Sequence, residues 1–253
     1  MKGLEGQNII VTGAADGIGK HIALRLAEEG VKIHILDING SGLEKMAALL
    51  GENAGLMLET DISDYARVKE SVEKIVAETG VINGLVNNAG WDRAIPFLET
   101  DPDLWQKVIG INYSGPLHLM HAVLPYMARE GKGKVVNIAS DAGRVGSSGE
   151  AVYAGCKAGV IALGKSLARE LARRGICINA VCPGPTDTAL LADFAGDGEY
   201  GQRIRQGLEK AIPMRRLGQP QDLAGMVAFL LSDEAGFITG QVISISGGLT
   251  MHG

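Results

Sequence analysis

The feature that most constrains the fold is a glycine-rich turn between a short apolar strand and a helix. Asn8–Thr12 has the composition of a buried strand, and the turn at residues 13–19, with the sequence GAADGIG, follows it directly. Apolar residues then recur at helical spacing, at Ile22, Leu24, Leu26 and Ala27. A strand, a glycine turn and a helix in this order predict the phosphate-binding start of a parallel α/β sheet.

Each glycine of this turn has a separate physical use. Gly13 permits the tight turn, Gly17 lets a pyrophosphate approach the main chain, and Gly19 lets the helix pack closely on the sheet. The spacing departs from Gly-x-Gly-x-x-Gly, because three residues separate the first two glycines. We expect this turn, including Asp16 and Ile18, to bind a dinucleotide through the free N–H groups at the start of the helix.

An acidic residue further along predicts which dinucleotide binds. Asp37 ends a second strand, at residues 32–36, and lies eighteen residues after Gly19. A carboxylate there accepts hydrogen bonds from the adenosine ribose hydroxyls and repels a 2′-phosphate. Positions 14, 15, 38 and 39 carry no positive charge that could bind such a phosphate. We therefore expect NAD rather than NADP, with Ile38 beside the ribose.

Strand and helix patterns alternate along the rest of the chain. Further buried strands are predicted at residues 55–59, 84–87, 134–138, 176–180 and 241–245. Residues 1–253 are therefore expected to form a single-domain, Rossmann-like α/β fold, with a doubly wound parallel sheet of about seven strands. Asp61, Asn87, Ser140 and Pro183 each follow a strand directly. Ligands bind outside the carboxyl ends of such strands, so these residues are expected to lie close together.

Tyr153 and Lys157 predict proton transfer to or from an alcohol. Residues four apart lie on one face of a helix, which places an ammonium beside a phenol. The ordinary pKa of a tyrosine is about 10, and Lys157 with an oxidised nicotinamide is expected to lower the pKa of Tyr153 toward neutrality. An isolated pair of this kind usually means only an aromatic ring packed under a solvated amine. The dinucleotide turn in the same chain favours the catalytic interpretation.

These motifs together resemble the short-chain dehydrogenase/reductase family over essentially the whole chain. The matching positions are Thr12, Gly13, Gly17, Gly19, Asp61, Ile62, Asn87 to Gly90, Asn112, Ser140, Tyr153, Lys157, Pro183 and Gly184. The resemblance implies a catalytic set of Asn112, Ser140, Tyr153 and Lys157. In it, Ser140 binds the substrate oxygen, Tyr153 is the general acid or base, Lys157 also binds the nicotinamide ribose, and Asn112 holds a water.

The same resemblance implies further cofactor contacts. They are Asp61 and Ile62 at the adenine, Asn88, Ala89 and Gly90 beside the cofactor, and Pro183, Gly184, Thr186 and Thr188 near the nicotinamide.

The substrate is expected to be an acyl-CoA thioester. Residues from about 186 to 213 are predicted to form a helical lid whose apolar side includes Leu190 and Leu191. The basic residues after it form either a solvated surface or a site for coenzyme A phosphates; they are Arg203, Arg205, Lys210, Arg215 and Arg216. Candidate pocket residues near Ser140 and Tyr153 are Trp91, Arg144, Ser147, Ser148 and Glu150.

Segments outside the general motifs narrow the expected reaction. Residues 88–92, 139–153, 181–193 and 237–241 are similar to those of family members that oxidise the ring hydroxyl of 2-hydroxycyclohexanecarboxyl-CoA with NAD. Those members act in the breakdown of aromatic and cyclohexane carboxylates. Alternatives are a general 3-hydroxyacyl-CoA dehydrogenase and a 3-oxoacyl-(acyl-carrier-protein) reductase. The reductase normally uses NADPH, so Asp37 counts against it. A scaffold without activity is disfavoured because the catalytic set is complete.

Composition excludes other classes of function. The net charge of −5 with no basic cluster argues against nucleic acid, and no apolar run reaches the roughly 20 residues of a membrane span. The N-terminus lacks the apolar core of a signal peptide, so we expect a cytoplasmic protein. Cys156, Cys177 and Cys182 lack metal-site spacing, so no metal is expected. The resemblance implies a homotetramer whose interfaces involve the C-terminal residues 245–253 and the helices at residues 104–127 and 153–171.

Overall fold

The apolar segments predicted as strands form one sheet in which every neighbouring pair is parallel. The computed structural model describes residues 1–195 and 198–251. The strands are β1 Asn8–Thr12, β2 Lys32–Asp37, β3 Ala54–Glu59, β4 Gly84–Asn87, β5 Gly133–Ile138, β6 Ile176–Pro183 and β7 Val242–Ile245. The described chain thus confirms the predicted doubly wound parallel sheet.

Helices connect the strands and cover both faces of the sheet. They are α1 Gly17–Ala27, α2 Gly40–Leu50, α3 Tyr65–Thr79, α4 Pro102–Ile109, α5 Gly115–Glu130, α6 Ala142–Val145, α7 Ala151–Leu171, α8 Ala189–Ala195, α9 Gly198–Ala211 and α10 Pro220–Leu231. Short 3₁₀ turns occur at Gly51–Asn53, Phe97–Glu99, Ala172–Arg174 and Asp233–Ala235.

The strand order places a crevice at the middle of the sheet. The order is β3-β2-β1-β4-β5-β6-β7, so the chain runs outward from β1 to β3 and then returns to add β4 on the other side of β1. The connections after β1 and β4 therefore leave in opposite directions. In open α/β sheets, ligands bind in the crevice that this reversal leaves at the carboxyl ends of the strands.

Two apolar cores hold the three layers together. On one face, Ile22 and Leu26 of α1 pack with Val227 and Leu231 of α10 against the sheet, and all four side chains are fully buried. On the other face, the core includes side chains from α3, α5 and α7, among them Val72, Val123 and Ala168. Burying a side chain of this size contributes about 1.5–3 kcal/mol, so both helical layers are firmly attached.

Two elements differ from the predictions at their boundaries. β6 ends at Pro183 rather than at 180, because its last residues pair with β7 and accept hydrogen bonds from the segment after β5. The expected helix at residues 104–127 is interrupted by a π-helical turn, Gly110–Ser114, between α4 and α5. Such turns are rare and frequently occur at functional sites. This one contains Asn112, whose side chain is fully buried.

The predicted lid segment contains two helices, α8 and α9, and residues 196 and 197 between them lie outside the described ranges. Its start is tied to the body of the protein, since Asp187 donates from its main chain to the Gly218 carbonyl oxygen at 2.8 Å. The C-terminal residues 245–253 are expected at a subunit interface. The structure describes them up to Met251, which is exposed. No helix within the described chain is long and apolar enough to cross a membrane.

A buried histidine takes the place of a main-chain acceptor at an irregularity between β2 and β3. The pairing register shifts between Ile33 and Ile35. His34, between them, accepts a hydrogen bond at Nδ1 from the Leu56 N–H at 3.0 Å, and its Nε2 contacts Asn8 Oδ1 at 3.3 Å. Because an imidazolium cannot accept at Nδ1, this arrangement requires the neutral ring. Burial, followed by the charge of Lys32, lowers the pKa of His34 from 6.5 to about 4.

We therefore predict an acid-dependent loss of stability that depends on His34. Between its two pKa values the unfolded chain binds a proton that the folded chain does not, so stability is present above pH 6.5 and lost as the pH falls toward 4. The shift corresponds to roughly 3 kcal/mol. Urea unfolding at pH 7 and pH 4 should show a larger fall in unfolding free energy for the wild type than for His34→Gln. His121→Gln, at an exposed ring, is the control and should behave like the wild type; parallel losses in all three proteins would contradict the prediction.

Candidate active site

A cleft of about 1180 Å³ opens at the carboxyl ends of the strands. Most residues predicted to bind cofactor or substrate line it. They are Gly13, Asp16, Gly17, Ile18, Asp37, Ile38, Asp61, Ile62, Asn88, Ala89, Gly90, Trp91, Ser140, Ser147, Glu150, Tyr153, Lys157, Pro183, Gly184, Thr186, Thr188, Leu190 and Leu191. Four predicted residues do not line it: Gly19, Asn112, Arg144 and Ser148.

The hydroxyl of Thr12 joins the two strand ends at the middle of the cleft. Its Oγ1 accepts hydrogen bonds from the main-chain N–H groups of Asn88 and Ala89, both at 3.0 Å, and donates to the Val86 carbonyl oxygen at 3.3 Å. Asn88 Nδ2 in turn donates to the carbonyl oxygens of Thr12 at 3.0 Å and Gly13 at 2.9 Å. The turn after β1 and the turn after β4 are therefore held as one unit.

The glycine turn has the shape that a dinucleotide phosphate requires. Gly17, at the first position of α1, has a φ of +59°, and an added Cβ would meet nothing closer than Thr188 Cγ2 at 4.0 Å. The main chain at this point is therefore open toward the cleft. Gly19 serves packing instead, since a Cβ there would lie 2.3 Å from the Gly13 oxygen. The packing use of Gly19 is thus observed, and the approach of a pyrophosphate at Gly17 stays a prediction.

Asp37 lines the cleft, and two main-chain N–H groups hold its carboxylate. Oδ2 accepts from the Ala15 N–H at 2.9 Å, and Oδ1 accepts from the Asn39 N–H at 3.0 Å. Each oxygen retains a free lone pair for a ribose hydroxyl. Nearby, Asp61 binds the main chain and hydroxyl of Ser63 at 2.9 and 2.7 Å, which closes the far side of the pocket.

Ser140, Tyr153 and Lys157 meet at the other end of the cleft. Lys157 is only 4% exposed, its Nζ donates to the Ile138 carbonyl oxygen at 3.0 Å, and it lies 5.4 Å from the centre of the Tyr153 ring. Ser140 Oγ accepts from the Ala142 N–H at 3.1 Å. Burial lowers the pKa of Lys157 to about 8. The three groups can donate hydrogen bonds, and one proton, to an oxygen in the cleft.

The expected lowering of the Tyr153 pKa is not found among these residues. Burial and then the Glu150 carboxylate raise the pKa of Tyr153, and hydrogen bonding with Ser140 opposes them only in part. The ammonium of Lys157 is directed to Ile138, so it does not offset these effects. The prediction named Lys157 together with an oxidised nicotinamide. The protein's own residues alone do not lower the pKa of Tyr153, and the joint effect with the nicotinamide stays a prediction.

The buried side chain of Asn112 holds Trp91, which lines the cleft, through hydrogen bonds. Its amide donates to the carbonyl oxygens of Trp91 at 2.6 Å and Val108 at 2.9 Å, and its Oδ1 accepts from the Trp91 N–H at 3.2 Å. Both amide hydrogens are thus used to hold Trp91 and α4. Its predicted contact with a water remains a prediction.

Three charged groups in or beside the cleft are absent from the sequence-based set: Lys107 and Asp141 line the cleft, and Asp92 does not. Asp92 lies beside Glu150. Burial is the main cause that raises the pKa of Asp92 to about 6, and the Glu150 carboxylate adds to it, while a main-chain hydrogen bond from Arg93 opposes them in part. Lys107 lines the cleft with its Nζ 3.8 Å from the centre of the Trp91 ring. Asp141 is buried next to Ser140. The sequence could have indicated Asp92 and Asp141, because they directly follow the predicted site residues Trp91 and Ser140.

Arg144 and the basic residues after the lid are not placed as expected. Arg144 donates to Ser244 Oγ at 2.7 Å, on β7, because α6 directs its side chain away from the cleft. Arg205 pairs with Asp187, and Arg216 pairs with Asp222. None of the five basic residues lines the cleft. The expected pocket contact of Arg144 is therefore wrong.

We predict that the Thr12 hydroxyl is needed for stability. Thr12→Val keeps the shape but leaves two buried N–H groups without an acceptor, which should cost about 2 kcal/mol or more. Thr12→Ser keeps the oxygen and should stay within about 1 kcal/mol of the wild type. Urea unfolding measures both, and equal stability of the two variants would contradict this role.

Comparison with known proteins agrees with the architecture and the motifs. A family model described as enoyl-(acyl carrier protein) reductase matches residues 13–250. A 3-oxoacyl-(acyl-carrier-protein) reductase of Thermotoga maritima is 38% identical over 253 residues, which covers 98% of this chain and 99% of the relative. Proteins of the same name from Escherichia coli (39% over 248 residues, 98% of each) and Staphylococcus aureus (37% over 251 residues, 97% and 98%) are similar.

The names of these relatives favour the 3-oxoacyl alternative over the ring-alcohol interpretation. The extent of the matches, over nearly the full length of each protein, leaves no doubt about the family. The chain belongs to the short-chain dehydrogenase/reductase family, and it is an oxidoreductase that acts on CH–OH groups with a nicotinamide cofactor.

Proposed function

We propose that this enzyme interconverts 3-hydroxyacyl and 3-oxoacyl thioesters with NAD(H). The observation that carries the proposal is the placement of Ser140, Tyr153 and Lys157 in the same cleft as the dinucleotide turn and Asp37. A dinucleotide bound along the glycine turn would reach Ser140, Tyr153 and Lys157 with its other end. The thioester substrate then has room between these three side chains and the lid.

The proposed mechanism assigns one task to each side chain. When bound, the nicotinamide accepts or supplies the hydride at the carbon that carries the reacting oxygen. Ser140 donates a hydrogen bond to that oxygen, which stabilises the charge that develops there. Tyr153 gives its proton to the oxygen in reduction and takes it back in oxidation. Lys157 holds the ribose side of the site and contributes positive charge.

Burial and the acidic residues around Tyr153 favour its protonated form. Burial and Glu150 raise the pKa of Tyr153, so its protonated form prevails in the field of the protein's own residues. A protonated phenol is the form that donates to a ketone oxygen. This agrees with relatives named as reductases, although the proposed reaction runs in both directions.

The thioester substrate is supported by the relatives and by the lining of the cleft. The lid contributes Leu190, Leu191 and Leu208, which suit an apolar acyl group. Lys107 is the one exposed cation among the described lining residues, and an anionic carrier such as phosphopantetheine would meet it at the rim. The predicted basic group after the lid lies away from this path.

Within this class of thioesters, the more specific substrate that we propose is a ring thioester. In 2-hydroxycyclohexanecarboxyl-CoA the ring hydroxyl is two carbons from the thioester carbonyl, so this compound is itself a 3-hydroxyacyl thioester. The same catalytic groups would therefore act on it, and the apolar lid suits the ring. The proposed active form is the homotetramer that the family resemblance implies, with α8 and α9 as the lid.

Cofactor preference tests the role of Asp37. We expect the wild type to prefer NADH over NADPH by on the order of 100-fold in kcat/KM, because hydrogen bonds to the carboxylate would be replaced by repulsion of a 2′-phosphate. Asp37→Ala should reduce the preference by roughly 10-fold or more. Glu59→Gln is a matched control, since it removes a charge from the neighbouring strand end outside the cleft lining. Similar efficiency of the wild type with both cofactors would refute the assignment.

Turnover of defined thioesters tests the reaction itself. NADH oxidation should be measured with a straight-chain 3-oxoacyl-CoA, with 2-oxocyclohexanecarboxyl-CoA and with an N-acetylcysteamine thioester. Tyr153→Phe should lose activity by roughly 10³-fold while NADH binding is kept, because only the transferable proton is removed. Tyr126→Phe, on α5, should remain active. Faster turnover of 2-oxocyclohexanecarboxyl-CoA than of the straight-chain thioester would support the ring thioester as the substrate. No activity with any thioester would exclude the proposal.

A further inference from the structure

Three polar side chains from separate elements meet beside Ser140, and of these only Asp141 belongs to a residue that lines the cleft. Asp141 directly follows Ser140, Arg144 lies on α6, and Ser244 lies on β7 at the edge of the sheet. Arg144 Nη1 donates to Ser244 Oγ at 2.7 Å, and Ser244 Oγ donates to Asp141 Oδ1. The Asp141 side chain is buried, with 5% of the residue exposed.

The direction of both hydrogen bonds is fixed by chemistry. A guanidinium can only donate, so the Ser244 hydroxyl must accept from Arg144 and has its own hydrogen left for Asp141. Ser244 therefore joins a positive group to a negative one. Asp141 Oδ2 has no hydrogen-bond partner within the described chain. Loss of the hydrogen bond to Oδ1 would leave this buried carboxylate with fewer interactions to offset the free-energy cost of burying its charge.

This bridge acts on the segment that carries Ser140. The Ala139 N–H donates to the Val181 carbonyl oxygen at 2.8 Å, and the Asp141 N–H donates to the Pro183 carbonyl oxygen at 3.0 Å. Residues 139 and 141 are thus anchored to β6 on either side of Ser140. The Asp141 carboxylate, next to Ser140 in the chain, is in turn held by the Ser244 hydroxyl.

The orientation of the Ser140 hydroxyl depends on the same segment. Its Oγ accepts from the Ala142 N–H at 3.1 Å, which leaves its hydrogen to donate into the cleft. Ala142 begins α6, the short helix that Arg144 ties to β7. A rotation of this helix would move the Ala142 N–H and change the direction of the Ser140 hydroxyl.

We propose that Ser244, by joining Arg144 to Asp141, is a positioning residue for Ser140 in the reaction. The inference rests on the proposed function, in which Ser140 donates to the substrate oxygen. Ser244 does not line the cleft, so its substitution leaves every direct contact with cofactor and substrate in place. The expected defect therefore appears in kcat rather than in cofactor binding.

The test compares Ser244→Ala, Arg144→Met and the double variant with the wild type. Ser244→Ala should lower kcat for 3-oxoacyl thioester reduction by roughly 10- to 100-fold, since displacement by about 1 Å is enough for such a loss. The dissociation constant of NADH should stay within about 2-fold, because the cofactor contacts are untouched. Arg144→Met should have a similar effect, and the double variant should be no slower than either single variant, because both changes break one bridge. Ser244→Thr keeps the hydroxyl and should restore kcat.

A matched control separates positioning from general loss of stability. Thr239 Oγ1 accepts from the Ile178 N–H at 3.0 Å on the same side of the sheet, without contact with Ser140. Thr239→Val should lower the melting temperature and leave kcat unchanged. A kcat for Ser244→Ala that equals the wild-type value, or that falls no further than in Thr239→Val, would overturn the inference.

Crystal structures of the wild type and Ser244→Ala give a readout that does not depend on activity. We expect residues 140–145 to move and the hydrogen bond between Ala142 and Ser140 Oγ to be lost. An unmoved segment would overturn the inference even if the enzyme is active. An inactive wild type with a displaced segment in the variant would instead overturn the proposed function and leave the structural bridge supported.

Discussion

The hydrogen bonds of the Thr12 hydroxyl are the interaction on which the rest of the site depends. β1 and β4 are neighbours in the sheet, yet the chain leaves them in opposite directions, and the crevice exists only because of this reversal. Thr12 Oγ1 accepts from two N–H groups of the turn after β4 and so fixes the width of the crevice at its centre. The glycine turn lies on one side of this link, and Asn88 to Gly90 lie on the other. Asn112 and Lys157 are then built against that second turn, which carries the same constraint into the catalytic end.

Charge is distributed unevenly along the cleft, and this distribution divides it into functional parts. Asp37 places a carboxylate at one end, held by two main-chain N–H groups. At the opposite end, buried Lys157 lies near Tyr153, and the carboxylates of Glu150 and Asp92 both act on the Tyr153 hydroxyl. The carboxylates oppose ionisation of Tyr153, so its pKa reflects a balance of neighbours rather than the effect of Lys157 alone. The turn that carries Ser140 is held by a separate polar group, in which Ser244 joins Arg144 to Asp141.

The sequence predicted the elements whose signals are local. Strands of four to eight apolar residues, the glycine turn and the helix-spaced Tyr153 and Lys157 are patterns within a few residues, and the structure contains all of them. The family resemblance then supplied the roles of residues such as Ser140 and Asn112, whose meaning depends on their position in the fold. Long-range effects were missed: β6 extends to Pro183 through pairing with β7, Arg144 turns toward Ser244, and burial with Glu150 raises the Tyr153 pKa. Each depends on residues far apart in the chain, so no local pattern could have revealed it.

The central claim is that this cleft moves a hydride between the nicotinamide and the β-carbon of an acyl thioester. Reduction of a 3-oxoacyl-CoA with NADH deuterated at both C4 positions, followed by mass spectrometry of the product, tests it most directly. Direct hydride transfer, with the oxygen proton coming from Tyr153, predicts a 3-hydroxyacyl-CoA with one deuterium on C3 and none on oxygen after exchange into water. An unlabelled alcohol, or no product with any thioester while NADH still binds, would contradict the account.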